Sequence, residues 1–209
     1  PDNPGHKLAD EAYFDSTTDF EAVLELASKL KIDGIMTYNS DPAAPTAAYV
    51  AEQLGLPGNP YKTVQIMSNK NLFRDFLKNN NLNCPVYFDF SSWQEVLSSG
   101  MDFPYPVIVK PVDSSGSKGC AVVTGPSHLE PAMEDALAKS RCKKAIIEEY
   151  IEPLGRQLHG DGFVEKGKVT FLYLGDHHFD SDINDLVPYS TTYPTEHPQD
   201  AVQSCLEQI

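Results

Sequence analysis

The stretch Tyr105-Pro-Val-Ile-Val-Lys-Pro-Val-Asp-Ser-Ser-Gly-Ser-Lys-Gly-Cys-Ala-Val-Val123 decides the fold. Val107, Ile108 and Val109 are a β-branched run that ends at Lys110 and Pro111 and reads as a strand. Asp113 to Gly119 then bring two glycines, three serines and a lysine with no apolar side chain, and Cys120 to Val123 resume as a second strand. In such a loop, backbone N–H groups approach an anion closely where Gly116 and Gly119 carry no Cβ. Lys110 and Lys118 bracket it with positive charge. On this stretch alone two readings stand: a flap over the phosphates of a nucleotide, or an ordinary hairpin with a polar tip.

Working outward, Ala145-Ile-Ile-Glu-Glu-Tyr-Ile-Glu152 is another apolar strand ending in acids. Upstream, Ser68-Asn-Lys-Asn-Leu-Phe-Arg-Asp-Phe-Leu77 opens a helix and is followed by Asn83-Cys-Pro-Val86. In this order the set resembles the ATP-grasp superfamily: an "NK…R..L" helix start, a "P-V-I-V-K-P" strand, a Ser/Gly-rich loop and an "E-E-Y-I" hinge strand. The resemblance covers nearly the whole chain and is nearest to the biotin-carboxylase and carbamoyl-phosphate-synthase-like carboxylate–amine ligases. It implies a mixed α/β and α+β architecture, an ATP-grasp fold preceded by a parallel α/β domain. The expected divisions are an N-terminal substrate domain over 1–67, a lid with the phosphate flap over 68–151, and the start of the C-terminal subdomain over 152–209.

The chemistry implied by the resemblance is activation of a carboxylate as an acyl-phosphate and its capture by an amine. That chemistry needs neutralisation of charge around the transferring phosphoryl more than acid–base groups. The resemblance gives Lys110 and Lys70 to the phosphates, and Ser114, Ser115, Gly116, Ser117 and Gly119 to the flap. It makes Glu148 an acceptor from the adenine amino group, with the backbone of Glu149 and Ile151 reading the adenine edge and Tyr150 packing nearby. Gln157 stands where relatives often place a glutamate on the ribose, and Asp161-Gly162 matches a "D-G-F-V" strand. Mg²⁺ is expected as well, on an "E…E-x-N" pattern that the sequence would reach only beyond Ile209, so no metal ligand is assigned. The chain is accordingly expected to be part of a longer protein, loop-like at Pro1–Gly5 and ending inside a helix from Asp200. A noncatalytic nucleotide-binding or sensing module would keep the same binding residues without those late acids.

Composition narrows the partners. Sixteen Lys and Arg against thirty Asp and Glu leave a net charge of −14, which argues against a general nucleic-acid binder. An anion site must then be built locally from a few placed lysines and amides. No apolar run is long enough to span a membrane, and no signal peptide is visible. Cys84, Cys120, Cys142 and Cys205 form no Cys-x-x-Cys pair and read as free thiols in a reducing cytoplasm. ATP and small carboxylates and amines are the expected partners, with a homo-oligomer left open.

Taken in order, Asp19 can cap a helix over 20–30, and Ile32 to Tyr38 reads as a strand. Asn39, Ser40 and Asp41 follow it as site candidates or as a cap for the next helix. Pro45 suits the first turn of a helix over 46–54 that Gly55 stops. Leu56 to Tyr61 reads as a turn-rich linker, and Ser68 as the N-cap of a helix over 69–78 with a stripe of Leu72, Phe73, Phe76 and Leu77. Lys70 in that first turn opposes the helix dipole, at a cost of about 0.3–1 kcal/mol that a nearby phosphate would remove. Residues 86–150 read as strand, helix, strand, strand, helix, strand, with Trp93 as a core anchor. Residues 157–163 and 168–174 read as strands joined by a hairpin turn at 165–167. Asp176-His-His-Phe-Asp-Ser-Asp182 reads as a polar loop, with a transition-metal site as the alternative; in a regular strand His177 and His178 would face opposite sides.

Overall fold

Asp19 accepts a hydrogen bond from the Ala22 amide at 3.1 Å, and this cap starts α1, Phe20–Leu30, which closes at Lys31 in the left-handed region (φ 54°). The computed structural model describes residues 4–38, 40–180 and 182–206; Asn39, Ser181, the side chains of Cys205 and Leu206 and the two ends of the chain lie outside the described residues. α2, Ala44–Leu54, has its proline in the first turn and ends at Gly55 (φ 66°). α3, Tyr61–Ser68, has no counterpart in the sequence reading, because its N-cap is Pro60 and it carries no acid in its first turn. Its cap comes from another element: the Tyr61 amide donates to the Glu52 carboxylate at 3.1 Å. Phe20, Tyr49 and Tyr61 join the three helices through ring contacts of 5.2, 5.8 and 5.5 Å between centroids.

Residues 32–38 are a correction: they pair with no strand among the described residues, and Met36 and Tyr38 are exposed. A strand needs a partner for its backbone groups, and Gly34 weakens the run further. Among the described residues the expected parallel layer is therefore represented by helices.

α4, Lys70–Asn79, starts one residue later than predicted, with Asn69 at the N-cap. Phe73 and Leu77 are half-buried, but Leu72 and Phe76 of the predicted stripe are exposed. β1, Tyr87–Phe90, leads into α5, Trp93–Ser99, where the Ser92 hydroxyl accepts from the Glu95 amide at 3.2 Å. β2, Val107–Pro111, and β3, Ala121–Val123, flank the flap. α6, Leu129–Lys139, and β4, Ala145–Glu149, complete the predicted order. All pairings in the sheet β1-β4-β2-β3 are antiparallel.

Alternation along these strands sorts their side chains. Val107, Val109, Val123 and Ile147 join Leu129, Met133 and Ala136 of α6 in the core, with Phe90, Val96 and Phe103. Trp93 packs partly buried against that cluster. Ile108, Lys110 and Glu148 take the opposite face.

β5, Gln157–Glu165, and β6, Lys168–His178, form a long antiparallel hairpin. Lys166 and Gly167 turn it, both at positive φ (52° and 77°), as a two-residue hairpin requires. β7, Ser190–Thr192, adds to the inner end of β6, and α7, Gln199–Leu206, follows.

A candidate nucleotide-binding cleft

Lys110 of β2 and Glu148 of β4 are diagonal neighbours on one sheet face, since Ile108 pairs with Glu148 and Lys110 with Ile146. They open onto a cleft of about 1940 Å³. The Glu148 side chain is only 1% exposed and holds two cations: Arg74 Nε at 2.8 Å and Lys110 Nζ at 2.6 Å. Burial by itself would push this carboxyl up; Lys110 and Arg74 outweigh it and hold it below the ordinary carboxylate range. Lys70 Nζ donates to the Ser114 carbonyl at 2.7 Å, and its backbone N–H to the Val112 carbonyl at 2.9 Å. Burial, helped by the neighbouring charge of Lys110, depresses its pKa. Two cations thus grip this carboxylate, and Lys70 feels its charge at longer range. A local positive excess stands in a chain of net charge −14.

The flap is tied at both ends. At its root, Asp113 accepts from the Ser140 hydroxyl at 2.8 Å and from the amides of Arg141 and Cys142 at 3.1 and 2.9 Å. Burial would raise this carboxyl, but these bonds and Arg141 bring it below its ordinary value. At its tip, the Ser117 hydroxyl donates to the Leu186 carbonyl at 2.6 Å.

Ser114, Ser115, Gly116 and Ser117 all line the cleft. Gly116 (φ 64°) has open space where a Cβ would stand. Gly119 is not among the residues that line the cleft. A Cβ there would lie 2.9 Å from Pro111 and 3.0 Å from Lys139, so its missing side chain lets the flap's return leg pack on β2 and α6.

The hinge residues Glu149, Tyr150 and Ile151 line the same cleft, as does Gln157 at the start of β5. The Glu149 amide donates to the Val86 carbonyl at 2.8 Å and the Tyr150 amide to the Pro106 carbonyl at 3.3 Å. Of the backbone groups expected to read a base, the Glu149 N–H is therefore already spent, which leaves its carbonyl and the Ile151 amide. Both oxygens of the Glu148 carboxylate, expected to accept from an amino group, are engaged by Arg74 and Lys110.

Asp176, His177 and His178 belong to β6 and not to a loop. Asp176 is fully buried, and it accepts from the Thr195 hydroxyl and from the Glu196 amide at 2.8 Å. The two imidazoles bond to different threonines: His177 Nδ1 to Thr191 at 2.9 Å, and His178 Nε2 to Thr192 at 2.8 Å. Among the described residues no three His, Cys, Asp or Glu side chains are gathered to hold a metal ion. Cys84, Cys120 and Cys142 are free thiols.

A profile of the ATP-grasp domain matches residues 67–208. The chain belongs to the ATP-grasp family. It is 28% identical over 149 residues to the carbamoyl phosphate synthase large chain of Thermotoga petrophila, a match covering 70% of this chain and 14% of that protein. It is 32% identical over 155 residues to the formate-dependent phosphoribosylglycinamide formyltransferase of Corynebacterium efficiens, covering 71% of this chain and 38% of that one. The chain thus spans well under half the length of these curated relatives. Among solved structures, the L-amino acid ligase of Bacillus licheniformis superposes with a TM-score of 0.68 at 25% identity, over 90% of this chain and 43% of that one. An ADP complex of N5-carboxyaminoimidazole ribonucleotide synthetase shares the fold with a TM-score of 0.75 at 14% identity, over 99% and 52%.

Arg74 and Asp113 are the cleft residues that sequence reasoning undervalued. Arg74 sits one turn after Lys70 on α4, and the i, i+4 spacing was the signal that both face one side. Asp113 was grouped with the polar loop, although an acid directly after a buried valine is a natural anchor for passing amides.

Proposed function

We propose that this chain carries the ATP-binding part of a ligase that activates a carboxylate as an acyl-phosphate for attack by an amine or similar nucleophile. The observation that carries this reading is the pair Lys110 and Arg74 on the buried carboxylate of Glu148, with Lys70 nearby on the Ser114 carbonyl, beneath a serine-rich flap. Such an excess of fixed positive charge suits a polyphosphate, whose transfer is governed by electrostatic stabilisation and positioning. Lys110 and Lys70 bind phosphate oxygens in this reading. The serine hydroxyls and the amides around Gly116 close over them, and Glu148 keeps Lys110 aimed. The Glu149 carbonyl and Ile151 amide take the base edge, with Tyr150 beside it and Gln157 toward the sugar. Among the described residues no three His, Cys, Asp or Glu side chains gather to hold the magnesium ion that this chemistry ordinarily employs.

The test is calorimetric titration with ADP and ATP. Lys110→Ala should weaken binding by at least about tenfold, the loss of one charge-assisted contact, whereas Lys118→Ala, on the loop, should change it far less. Equal losses would remove Lys110 from this role. Acid-dependent phosphate release with hydroxylamine as trapping nucleophile then separates a ligase from a nucleotide-binding module, which would bind and release nothing.

A further inference from the structure

A hydrogen bond joins the flap to the connection between β6 and β7. The Ser117 hydroxyl donates to the Leu186 carbonyl at 2.6 Å, across 69 positions of sequence, and both residues line the cleft. Each partner is fixed in advance. On the flap side, Gly116 and Ser117 both stand at positive φ (64° and 55°), and the Ser117 carbonyl accepts from the Cys120 amide at 3.1 Å. The turn is closed on itself, and the hydroxyl is left to reach outward. On the other side, both peptide groups flanking Leu186 are tied to Asn184. The Leu186 amide donates to the Asn184 side-chain oxygen at 2.8 Å, and the Val187 amide to the Asn184 carbonyl at 3.4 Å. The Val187 N–H and the Leu186 C=O belong to one trans peptide and point opposite ways. With the N–H turned to Asn184, the carbonyl faces Ser117. Asn184 is itself held, its amide donating to the Asp180 carbonyl at 2.8 Å, and the Tyr189 amide closes the connection onto the His178 carbonyl at 2.9 Å.

We propose that this bond is a latch that holds the flap shut across the cleft and paces nucleotide entry and release, with Asn184 positioning its acceptor. The proposal rests on the nucleotide-binding reading above and adds a gate to it. The flap runs between β2 and β3, and Leu186 between β6 and β7. The bond therefore ties together two sheets that are otherwise continuous through the chain after β4. A nucleotide passes only while the bond is open. One net hydrogen bond shifts an equilibrium by roughly two- to twelvefold, so the latch biases the flap toward closure without sealing it. The bond uses no ligand atom. It closes over an empty and an occupied cleft alike, and the open fraction sets the pace in both directions. A serine bonded to phosphate would act differently, because its loss would speed release alone.

The experiment follows association and dissociation of a fluorescent ADP analogue by stopped flow on the full chain. Asn184→Ala should raise both rates together, each about two- to twelvefold, and leave their ratio within about twofold. Asn184→Asp, whose carboxylate accepts from the Leu186 amide in the same way, should restore the wild-type rates. In a Ser117→Ala background, Asn184→Ala should add nothing to the association rate, because the two act through one bond. Unchanged rates, faster dissociation alone, or full additivity overturns the latch and leaves the nucleotide reading standing. A wild type that takes up no ADP in a calorimeter overturns both. If Asn184→Ala does not fold, Ser117→Ala decides. A raised association rate supports the latch, and an unchanged one overturns it, since the loss of a ligand contact leaves association unmoved.

Discussion

The two sheets of this ATP-grasp chain are built on opposite terms. In the first, β2 and β4 bury nearly every residue, and α6 seals the rear face with Met133 and Ala136 fully buried. In the second, most of β5 and the outer half of β6 are exposed, including Phe163 at 71% and Phe171 at 52%. The first sheet holds Lys110 and the buried Glu148 that pairs it with Arg74 of α4. The second depends on its ladder and on ring contacts such as Phe163 with Phe171 and Tyr173 with Tyr193. In the ligase reading proposed above, Lys110 and the hinge belong to the first sheet, and Gln157 to the second.

The comparison can be broken most directly at Glu148. Glu148→Ala leaves two cations facing each other in a buried place, and about 3–5 kcal/mol of stability should be lost, read by urea denaturation. A loss under about 1 kcal/mol would mean that the first sheet is not held by this carboxylate. Next come paired truncations: Met133→Ala should cost about 2–5 kcal/mol, whereas Phe171→Ala should cost only the ring pairing, about 0.5–1.5 kcal/mol. Equal costs would erase the distinction between the sheets.

A third test uses pH. Glu148 and Asp113 both have folded-state pKa values below their ordinary ones. Their contribution is therefore fully present above the unfolded value of about 4 and is lost as pH falls through the lowered values. Stability should be flat from neutral pH to about 5 and decline below about 4, and Asp113→Asn should flatten part of that decline. Lys70 has the opposite sense. Its folded pKa is depressed, so the charged form carries a cost that is relieved as pH rises through the lowered value. An anion favours that charged form, so ADP affinity should fall with rising pH across the same window, with proton uptake on binding. Lys70→Arg, which stays charged, should abolish the pH dependence, and an unchanged slope would disprove the contact. The smallest effect belongs to Ser117→Ala, which removes one hydrogen bond to Leu186. About 0.5–1.5 kcal/mol should be lost, visible as faster hydrogen exchange over 113–119.

Much of this was legible because local chemistry and tertiary context agree. Asp19, Pro45, Gly55 and the turn at 165–167 act as punctuation, and each stands at the boundary it predicts. The β-branched run at Val107–Val109 had one reading only. What was not legible depended on partners distant in sequence. Ile32–Tyr38 looks like a strand by composition, yet composition cannot supply a neighbouring strand. α3 is capped by Glu52, nine residues before it. In the cleft, the lysines could be read from their places on strand and helix, but the engagement of Glu148 with Arg74 spans 74 positions. A glycine that admits an anion and one that, like Gly119, admits a lysine stem look the same in sequence.

Trp93 is the only tryptophan of the chain, and it lies against the α6 side of the first sheet, not among the cleft residues. Its emission should report the integrity of the first sheet and stay silent to occupancy of the cleft. A variant that has stopped binding nucleotide can therefore be told from one that has come apart by a colour shift in a cuvette, with no label added. The unequal sheets can be followed separately in the same way, since a transition in the hairpin that leaves this emission unmoved belongs to the hairpin alone.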